Sequence, residues 1–416
     1  MPTIAYLSNR FPSPVEPYVA DEIHELRRQW VHVIPCSARS VEAKEVGEDL
    51  RPLAAETLYL QPLRVALMLR AACYGLRHFR QFADLFERVV VQGTESLLRR
   101  ARCVLHTWLG IYYALLLEER GVDHIHVHHG YFSSWIAMVA ARVLGIGFSM
   151  TLHGSDLLVN RAYLDMKLKH CRFCLTVSEF NRNYIFEPYP TVDPAKVWVH
   201  RMGVDPPEFQ VLQANDDAPR YPLVLSVGRL HRVKDHAFLI NACKKLKDEG
   251  LRTLCLIAGD GPERKRLERL VAKLDLSEEV GMLGHVAHNQ IDGHYAIADV
   301  VVLTSKSEGV PLVLMEAMAM GKIVLAPEIT GIPELVIDGT TGFLYRPGSI
   351  EDFTQKLRMI WELRGALEPI RKAARKHVRE HFDRERNLAA FAEGFLNRVA
   401  GETEAQAHED SVLQQI

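Results

Sequence analysis

The sequence predicts an α/β protein made of two doubly wound parallel sheets, and three observations support this fold class. Short apolar runs rich in β-branched residues alternate with amphipathic helical stretches, the pattern of parallel α/β sheets. The alternation occurs twice, and residues 203–222, which contain PP, NDD and AP, separate the two series as a linker. With 416 residues, the chain is also too long for one ordinary core. We therefore expect two Rossmann-like domains that face each other across a cleft.

The apolar and amphipathic runs place the elements of each domain. The first series predicts strands at 3–8, 31–36, 124–129, 148–152 and 175–178, with helices at 15–30 and 133–144. The second predicts strands at 223–228, 253–258, 280–283, 299–304 and 323–326, with helices at 235–249 and 263–274. We assign residues 1–205 to the first domain, 206–375 to the second, and 376–400 to a C-terminal helix that returns to the first. Residues 401–416 lack apolar periodicity and are expected to be a disordered tail.

The composition is that of an ordinary globular protein, with 48% hydrophobic and 25% charged residues. A formal net charge of −2 argues against a general nucleic-acid binder. The opening segment has a short apolar run without a basic start, so we do not expect a signal peptide. No stretch reaches the roughly 18 apolar residues of a membrane span. Seven scattered cysteines fit reduced thiols, and we expect a cytoplasmic protein.

Two patterns resemble metal sites but do not complete one. Cys171 and Cys174 form a C-x-x-C without the second pair of ligands that a structural zinc needs, so we expect buried thiols. His124, His126 and His128 alternate on one strand face, but no cysteine lies nearby in the sequence. We expect structural or substrate-positioning roles for these histidines, and no metal.

Residues 62–119 depart from the alternation and are predicted to be helical. They combine many leucines, alanines and phenylalanines with eight arginines: Arg64, Arg70, Arg77, Arg80, Arg88, Arg99, Arg100 and Arg102. A basic amphipathic helix can lie on an anionic membrane. A helical hairpin packed on the sheet, with its arginines in solvent, explains the same composition, and both interpretations stay open here.

Segment 305–321, SKSEGVPLVLMEAMAMG, contains two informative acids, Glu308 and Glu316. A predicted strand precedes it, Pro311 suits the first turn of a helix, and Gly321 suits the end of that helix. Glu308 is therefore expected on the loop at the carboxyl edge of the sheet, where ligands of open α/β sheets bind. Carboxylates accept hydrogen bonds from hydroxyls and free helix amides hold anions, which favours a polyhydroxylated ligand attached to phosphate. A lone Glu316 would more often be a polar residue of an amphipathic helix, and the neighbouring motifs favour the functional interpretation.

The run LSVGRLHRVK ends a predicted strand at Gly228 and adds Arg229 and Lys234. Glycine allows a ligand to approach the backbone, and the two cations can converge on one anion. A departing diphosphate develops negative charge, and cations aimed at that charge can replace a metal ion. Two solvated cations explain the pattern equally well when it is taken alone.

Three further loops are weak indications individually. IAGDGP places Gly259 and Gly261 after a strand, and LGHV places His285 and Val286 where backbone groups could contact a base. GIPELVIDGTTGF offers the amides that follow Gly331.

In the first half, TLHGSD places His153 and Asp156 after a strand, and we expect both to face the cleft. His153 is expected to donate to a sugar hydroxyl or to stabilise charge near the anomeric carbon; a histidine satisfied by local backbone is the alternative.

Taken together and in this order, the motifs make the chain resemble the retaining glycosyltransferases of the GT-B fold, in family 4. The matching segments are VGRL…K, AGDGP, LGHV, SEGVPLVLMEAMAMG with its E-x7-E, GIPELVIDGTTGFL and LHGSD. They cover the second domain almost completely and the first more thinly. HIHVHH and GIGFSMTLHGSD are similar to the branch that builds bacterial exopolysaccharides, such as the colanic-acid transferases.

The resemblance implies a nucleotide-sugar donor held mainly by the second domain and an acceptor held mainly by the first. It implies that Arg229 and Lys234 clamp the diphosphate, that Glu316 binds the ribose and that Glu308 binds hydroxyls of the donor sugar. His153 would lie by the reacting carbon. Such enzymes retain the anomeric configuration and need neither a divalent metal nor another cofactor.

The resulting site prediction has three groups. The catalytic group is His153, Arg229, Lys234 and Glu308. The donor-binding group adds Gly228, Gly259, Gly261, His285, Val286, Gly309, Val310, Pro311, Leu312 and Glu316. The acceptor side comprises Glu16, His129 and Asp156. Many relatives have a glycine pair in the first strand-to-helix loop, whereas residues 8–17 here contain none, so Glu16 is expected to face the acceptor instead.

We therefore expect a transferase that moves a hexose from a nucleotide-diphosphate sugar to a saccharide or lipid-linked acceptor, in polysaccharide or glycolipid biosynthesis. It would be cytoplasmic, and peripheral on the inner face of the membrane if the arginine-rich segment binds lipid. A nucleotide-sugar epimerase or a sugar-phosphate synthase of the same fold is one alternative. A non-catalytic sensor of sugar nucleotides is another.

Overall fold

The computed structural model describes residues 1–13, 16–41, 47–158, 161–205 and 221–413. The chain divides into two compact units. Unit 1 comprises residues 1–177, 181–200 and the chain from 388 onwards, and unit 2 comprises 178–180 and 201–387. The sequence placed the first boundary after residue 205 and the return at 376, whereas the compact units divide after residue 200 and return at residue 388. Most of the predicted linker, residues 206–220, lies outside the described residues.

Unit 1 is built on a seven-stranded sheet in which all neighbours are parallel. Its strands are β1 (Thr3–Arg10), β2 (His32–Arg39), β3 (Leu58–Tyr59), β4 (His124–His128), β5 (Gly147–Leu152), β6 (Cys174–Thr176) and β7 (Val197–Val199). Their order is β3-β2-β1-β4-β5-β6-β7. The order therefore reverses between β1 and β4, and such a reversal is where doubly wound sheets bind ligands.

Nine α-helices precede residue 200 within the described ranges. They are α1 (Pro17–Arg28), α2 (Arg51–Glu56), α3 (Val65–Arg77), α4 (Ala83–Phe86), α5 (Leu97–Leu117), α6 (Phe132–Leu144), α7 (Ser155–Leu158), α8 (Leu164–His170) and α9 (Glu179–Phe186). Alternate residues of β1 enter different cores, because successive side chains of a strand point to opposite faces. Ala5 and Leu7 pack with α5 and α6, whereas Ile4 and Tyr6 pack with α1.

Unit 2 is built on a six-stranded parallel sheet. Its strands are β8 (Leu223–Val227), β9 (Leu254–Ala258), β10 (Val280–Gly284), β11 (Val300–Val302), β12 (Ile323–Pro327) and β13 (Phe343–Tyr345). Its helices are α10 (His236–Asp248), α11 (Arg264–Lys273), α12 (His288–Ile297), α13 (Leu312–Ala319), α14 (Ile350–Glu362) and α15 (Glu368–His381). The strand order is β10-β9-β8-β11-β12-β13, so this sheet reverses between β8 and β11.

The last helix, α16 (Arg384–Leu413), returns the chain to unit 1. Phe391 and Phe395 of α16 are fully buried in the same core cluster as Ile4 and Tyr6. The helix continues through residue 413, whereas the sequence predicted disorder from residue 401. The reason is composition: the segment is rich in glutamate and alanine, whose helix propensity needs no apolar face. None of the described helices is both long and apolar enough to cross a membrane.

Candidate active site

The loops after β8 and β11 lie side by side where the strand order of unit 2 reverses. The amide of Lys306 donates to the carbonyl of Val233 at 2.8 Å, and the Thr304 hydroxyl donates to the carbonyl of Lys234 at 2.9 Å. The two loops meet because β8 and β11 pair in parallel, which puts their carboxyl ends at the same edge. The structure thus brings Lys234 and Glu308 together at the carboxyl edge of the sheet.

Lys234 and Glu308 form an ion pair at this edge. Nζ of Lys234 lies 2.6 Å from Oε1 of Glu308, and the Ser305 hydroxyl donates to the same carboxylate oxygen. The side chains of Lys234 and Glu308 are 24% and 12% exposed, so the pair is shielded but accessible from solvent. Because the pair is neutral, an anionic ligand can contact the lysine without meeting the full repulsion of the glutamate.

Arg229 follows Gly228 on the same loop and is exposed. Among the described residues, no side chain pairs with its guanidinium. Arg229 therefore adds an accessible positive charge to the loop that contains Lys234.

Gly259 and Gly261 were predicted to contact the ligand, and the structure gives a different reason for both. A Cβ on Gly259 would lie 2.0 Å from the carbonyl oxygen of Gly228, and one on Gly261 would lie 2.5 Å from that of Leu230. Their φ angles of +146° and +157° are also unfavourable for other residues. The absence of side chains lets the loop after β9 pack directly against residues 228–230. The two glycines therefore shape the loop that presents Arg229.

His285 and Val286 lie on the loop after β10, His285 exposed and Val286 half-buried. The amide of Gly259 donates to the carbonyl of Gly284 at 2.7 Å, so this loop lies next to the loop after β9. Both residues are thus at the same carboxyl edge of the sheet as Lys234.

The segment from Gly309 to Leu312 connects Glu308 to α13. Pro311 is the N-cap of α13, one position before the predicted first turn, and Val310 is buried with a relative exposure of 4%. Glu316, one turn further along α13, is half-buried. Its Oε2 accepts a hydrogen bond of 2.7 Å from the hydroxyl of Tyr295, a fully buried residue of α12. Tyr295 therefore fixes one oxygen of Glu316.

In unit 1, a chain of hydrogen bonds leads to His153. Nε2 of His153 lies 3.0 Å from Nδ1 of His128, the last residue of β4. Nε2 of His128 lies 3.1 Å from Oε2 of Glu22, which also accepts from the hydroxyl of Tyr6. Tyr6, Glu22 and His128 are all buried. Sequence analysis missed Tyr6 and Glu22, because Glu22 precedes His128 by 106 positions and only the packing of α1 on β4 brings them together.

The carboxylate at the buried end of this network assigns one proton on His128. Burial opposes ionisation of Glu22, but the interaction with His128 lowers the pKa of Glu22, so it is a carboxylate that only accepts. Nε2 of His128 therefore donates to Glu22, and its Nδ1 shares a hydrogen bond with Nε2 of His153. Burial and the nearby charge on His129 lower the pKa of His153, so this imidazole is neutral.

The loops after β1 and β4 meet at the reversal in the sheet of unit 1. Nε2 of His129 lies 3.0 Å from Oε1 of Glu16, and its Nδ1 lies 3.7 Å from Oδ2 of Asp156. Burial alone would lower the pKa of His129, but the interactions with Asp156 and Glu16 raise it to about 10. Burial likewise opposes ionisation of Glu16, and the hydrogen bond from His129 lowers the pKa of that carboxyl. His129 is therefore a buried cation between two carboxylates.

Asp156 was predicted to face the acceptor, and in the structure its side chain bonds to the backbone of its own loop and of the loop after β4. Its side chain is fully buried. Its oxygens accept from the backbone amides of Gly130 (2.8 Å), Gly154 (2.9 Å) and His153 (3.1 Å). Burial opposes ionisation, but the contacts with His129 and these amides lower the pKa of Asp156. Asp156 holds the backbone of the loop that contains His153.

Within the described residues, one group of side chains is close enough to share a metal ion. The ligand atoms of Glu22, His126 and His128 lie within 4.8 Å of one another. His126, however, already bonds to the hydroxyls of Ser149 (2.8 Å) and Thr151 (3.0 Å), and His128 and Glu22 bond to each other. We interpret the group as a hydrogen-bonded network.

Cys171 and Cys174 are buried free thiols. Burial raises the pKa of Cys171 to about 12, so the thiol stays protonated at neutral pH. A protonated, buried thiol is unreactive, which agrees with the expectation for Cys171 and Cys174.

Comparison with known proteins identifies the family. The model "Glycosyltransferase Family 4" matches residues 15–208, and "Glycosyl transferases group 1" matches residues 209–377. WcaL of Escherichia coli, assigned to colanic acid biosynthesis, is 34% identical over 207 residues, covering 47% of this chain and 50% of WcaL. The amylovoran biosynthesis glycosyltransferase AmsK of Erwinia amylovora is 32% identical over 212 residues, covering 49% and 51%. The matched region thus spans about half the length of each relative.

Solved structures share the fold along nearly the whole chain. Sucrose-phosphate synthase from Thermosynechococcus elongatus superposes with a TM-score of 0.74 at 19% identity, covering 96% of this chain and 100% of the synthase. HepE from Anabaena, solved with UDP-glucose, superposes with a TM-score of 0.69 at 18% identity, covering 95% and 99%. The family models together span residues 15–377, and both units are Rossmann-like as the sequence predicted. The chain therefore belongs to the family 4 glycosyltransferases of the GT-B fold, with transferases of bacterial exopolysaccharide biosynthesis among its relatives.

Proposed function

We propose that the protein is a retaining glycosyltransferase that moves a hexose from a nucleoside-diphosphate sugar to a saccharide or lipid-linked acceptor. The observation that carries this proposal is the Lys234–Glu308 ion pair at the strand reversal of unit 2, with Arg229 exposed on the same loop. The names of WcaL and AmsK support a role in polysaccharide or glycolipid synthesis. The UDP-glucose bound to HepE supports a nucleotide-sugar donor.

Lys234 and Arg229 would hold the diphosphate of the donor. As the bond between the anomeric carbon and the diphosphate breaks, negative charge develops on the leaving phosphate. Fixed cations that face this charge lower the barrier, and each is worth about 10²–10³ in rate. We assign to these two residues the electrostatic work that a divalent ion performs in other transferases, so the reaction would need no metal.

Glu308 and Glu316 would accept hydrogen bonds from hydroxyls, because ionised carboxylates have only acceptor sites. Lys234 and Ser305 hold one oxygen of Glu308 and leave the other for the donor sugar. Tyr295 holds Oε2 of Glu316, which orients its carboxylate for the ribose hydroxyls. In both cases a neighbouring donor fixes the acid before the ligand arrives.

His153 would contact a substrate hydroxyl through Nδ1, because its Nε2 is engaged with His128. A neutral imidazole at this position makes that contact without adding a second positive charge beside His129. In the proposed front-face reaction, the acceptor oxygen bonds to the anomeric carbon as the bond to the diphosphate breaks. The acceptor's proton passes to the departing phosphate, so no protein base is consumed.

Incubation of the purified chain with UDP-, GDP- and ADP-hexoses tests the proposal. We expect release of one nucleoside diphosphate and, with an accepted saccharide, a product whose anomeric coupling constant matches that of the donor. Lys234→Ala should lower kcat/KM by about 10²–10³. Lys245→Ala, which removes an ion-paired lysine from the opposite end of α10, should leave it unchanged. An inverted product, an epimer formed from donor alone, or full activity in Lys234→Ala would overturn the proposal.

A further inference from the structure

The arginine-rich insertion, residues 62–119, exposes an unusual amount of apolar surface. Among the described residues, twenty large hydrophobic side chains are exposed. Eleven of these twenty fall between residues 65 and 105: Val65, Leu69, Leu76, Phe79, Phe86, Val90, Val91, Leu97, Leu98, Val104 and Leu105. Exposed apolar residues scattered singly are ordinary, but a concentration of them in one segment indicates a binding surface.

The same insertion already has a well-packed inner side. The Trp108 indole donates to the carbonyl of Met68, joining α5 to α3, and the Trp135 indole of α6 donates to the Thr107 hydroxyl of α5. A Cβ on Gly110 would lie 2.5 Å from Cβ of Val139, so α5 and α6 are in direct contact. The helical-hairpin interpretation is thus correct for this side. It leaves the outward residues without a packing role.

The outward residues form neighbouring groups. Leu69, Cys73 and Leu76 recur at helical spacing on one face of α3. The rings of Phe79 and Phe86 are in edge contact, with centroids 5.5 Å apart. Nε of Arg100 donates to the carbonyl of Val89 at 2.8 Å, which places the start of α5 beside residues 87–91. We call the exposed residues between 64 and 105 the insertion surface.

The charge of the insertion surface is strongly positive. Five arginines, Arg64, Arg77, Arg80, Arg99 and Arg102, form no ion pair with the described residues. Two of the three acids in this segment are already neutralised, Asp84 by Arg142 and Glu95 by Arg88. Within the described residues, only Glu87 of these three acids forms no ion pair. Its carboxylate accepts a hydrogen bond from the side-chain amide of Gln92.

We propose that the insertion surface binds an anionic lipid bilayer, with its leucines, valines and phenylalanines in the headgroup region and its arginines on lipid phosphates. Exposed apolar side chains mixed with unpaired cations are what an interfacial membrane contact requires. A second copy of the chain fits less well, because two such surfaces would oppose arginine to arginine. None of the described helices can cross a bilayer, so the contact is peripheral.

Cys73 provides a direct probe. It lies on α3 between Leu69 and Leu76 and is exposed, whereas the other six cysteines are buried. We expect an environment-sensitive fluorophore on Cys73 to shift to the blue with vesicles that contain phosphatidylglycerol, and to be quenched by brominated acyl chains. The same label on Ala272→Cys in a Cys73→Ser background should not respond, because Ala272 is exposed on the polar helix α11.

Charge variants test the role of the arginines. Each arginine near an anionic surface contributes about 1 kcal/mol, or about fivefold in affinity. The triple variant Arg77→Ser/Arg80→Ser/Arg102→Ser should therefore bind vesicles about 100-fold more weakly, and high salt should weaken the parent protein similarly. The matched variant Lys265→Ser/Arg269→Ser/Lys273→Ser removes the same charge from α11 and should bind like the parent.

Equal binding to vesicles of phosphatidylcholine alone, or an unchanged affinity in the insertion variant, would overturn the proposal. A blue shift that depends on protein concentration without vesicles would identify a second copy as the occupant. These outcomes are separate from transferase activity, since neither variant changes a residue of the donor or acceptor site. Turnover of a water-soluble acceptor should be the same in all of them.

Discussion

Replacing Asp156 with asparagine should destabilise unit 1 although the two side chains have the same shape. In the native protein, Oδ1 accepts from the amides of His153 and Gly154, and Oδ2 accepts from the amide of Gly130 and faces the His129 cation. An asparagine keeps one oxygen and turns the other into an NH2 group. Whichever way the amide is oriented, its NH2 meets backbone N–H groups that can only donate.

The cost follows from the partners that are lost. At least one buried backbone amide loses its acceptor, and the new NH2 group has none. Each unsatisfied group costs about 1–3 kcal/mol. His129 also loses one of its two counterions, and breaking a buried pair typically costs about 3–5 kcal/mol. Because these terms overlap and Glu16 remains beside His129, we expect a loss of about 3–4 kcal/mol in the free energy of unfolding.

Tryptophan fluorescence during urea unfolding reports this loss, since Trp30, Trp108, Trp135 and Trp198 lie in unit 1 and only Trp361 lies in unit 2. Asp193→Asn is the control. That carboxylate caps a short exposed turn through the amide of Ala195, so the control should cost no more than about 1 kcal/mol. If Asp156→Asn unfolds at the same urea concentration as the control, Asp156 does not have the structural role assigned to it.

His129 makes the stability pH-dependent in a known direction. Its pKa of about 10 exceeds the usual value near 6.5, so its stabilisation is fully present below about pH 6.5 and is lost as the pH rises through about 10; an unfolding midpoint that rises between pH 8 and 10.5 would contradict this. Gly259→Ala should destabilise unit 2 by about 3 kcal/mol or more, because its Cβ would meet the Gly228 carbonyl, whereas Gly293→Ala, with open space around it, should be neutral or slightly stabilising. Trp361 fluorescence would follow this difference. Nitrogen-15 NMR of His153 should detect a single ring proton at neutral pH, because burial and the charge on His129 lower its pKa; an imidazolium with both nitrogens protonated would contradict this. Exhaustive dialysis against EDTA should leave the rate of transfer unchanged, and recovery of a lost rate by added Mg²⁺ or Mn²⁺ would refute the role given to Arg229 and Lys234.

Local sequence patterns were sufficient to predict the two doubly wound units. Buried parallel strands such as β9, β11 and β12 are continuous apolar runs, and the loops at their carboxyl ends follow directly. Strands β3, β7 and β13 were not predicted; each is two or three residues long and lies at an edge of its sheet. The point of return to unit 1 was displaced because α15 is amphipathic like α16, and its Ala374 and Val378 enter a core of unit 2.

The sequence predicted those site residues that directly follow a recognisable strand. Lys234 and Glu308 were expected at one edge of the sheet, and they meet there because parallel strands put both loops at that edge; their ion pair was not predicted. Glu22 and Tyr6 were missed because their contact with His128 depends on how α1 packs over β1 and β4. The roles of Gly259, Gly261 and Asp156 were interpreted as ligand contacts, since a sequence motif does not distinguish a residue that binds a ligand from one that positions its neighbour.

The central claim is that protein cations at the strand reversal of unit 2 hold the diphosphate of the donor. Isothermal titration with the nucleoside diphosphate of the accepted donor, and with the corresponding nucleoside, tests it most directly. We expect Lys234→Ala to weaken diphosphate binding at least tenfold and to leave nucleoside binding unaffected. Lys245→Ala should change neither affinity. A tenfold loss corresponds to about 1.4 kcal/mol, the low end for a hydrogen bond to a charged group. Equal diphosphate affinities for the parent and Lys234→Ala would contradict the claim.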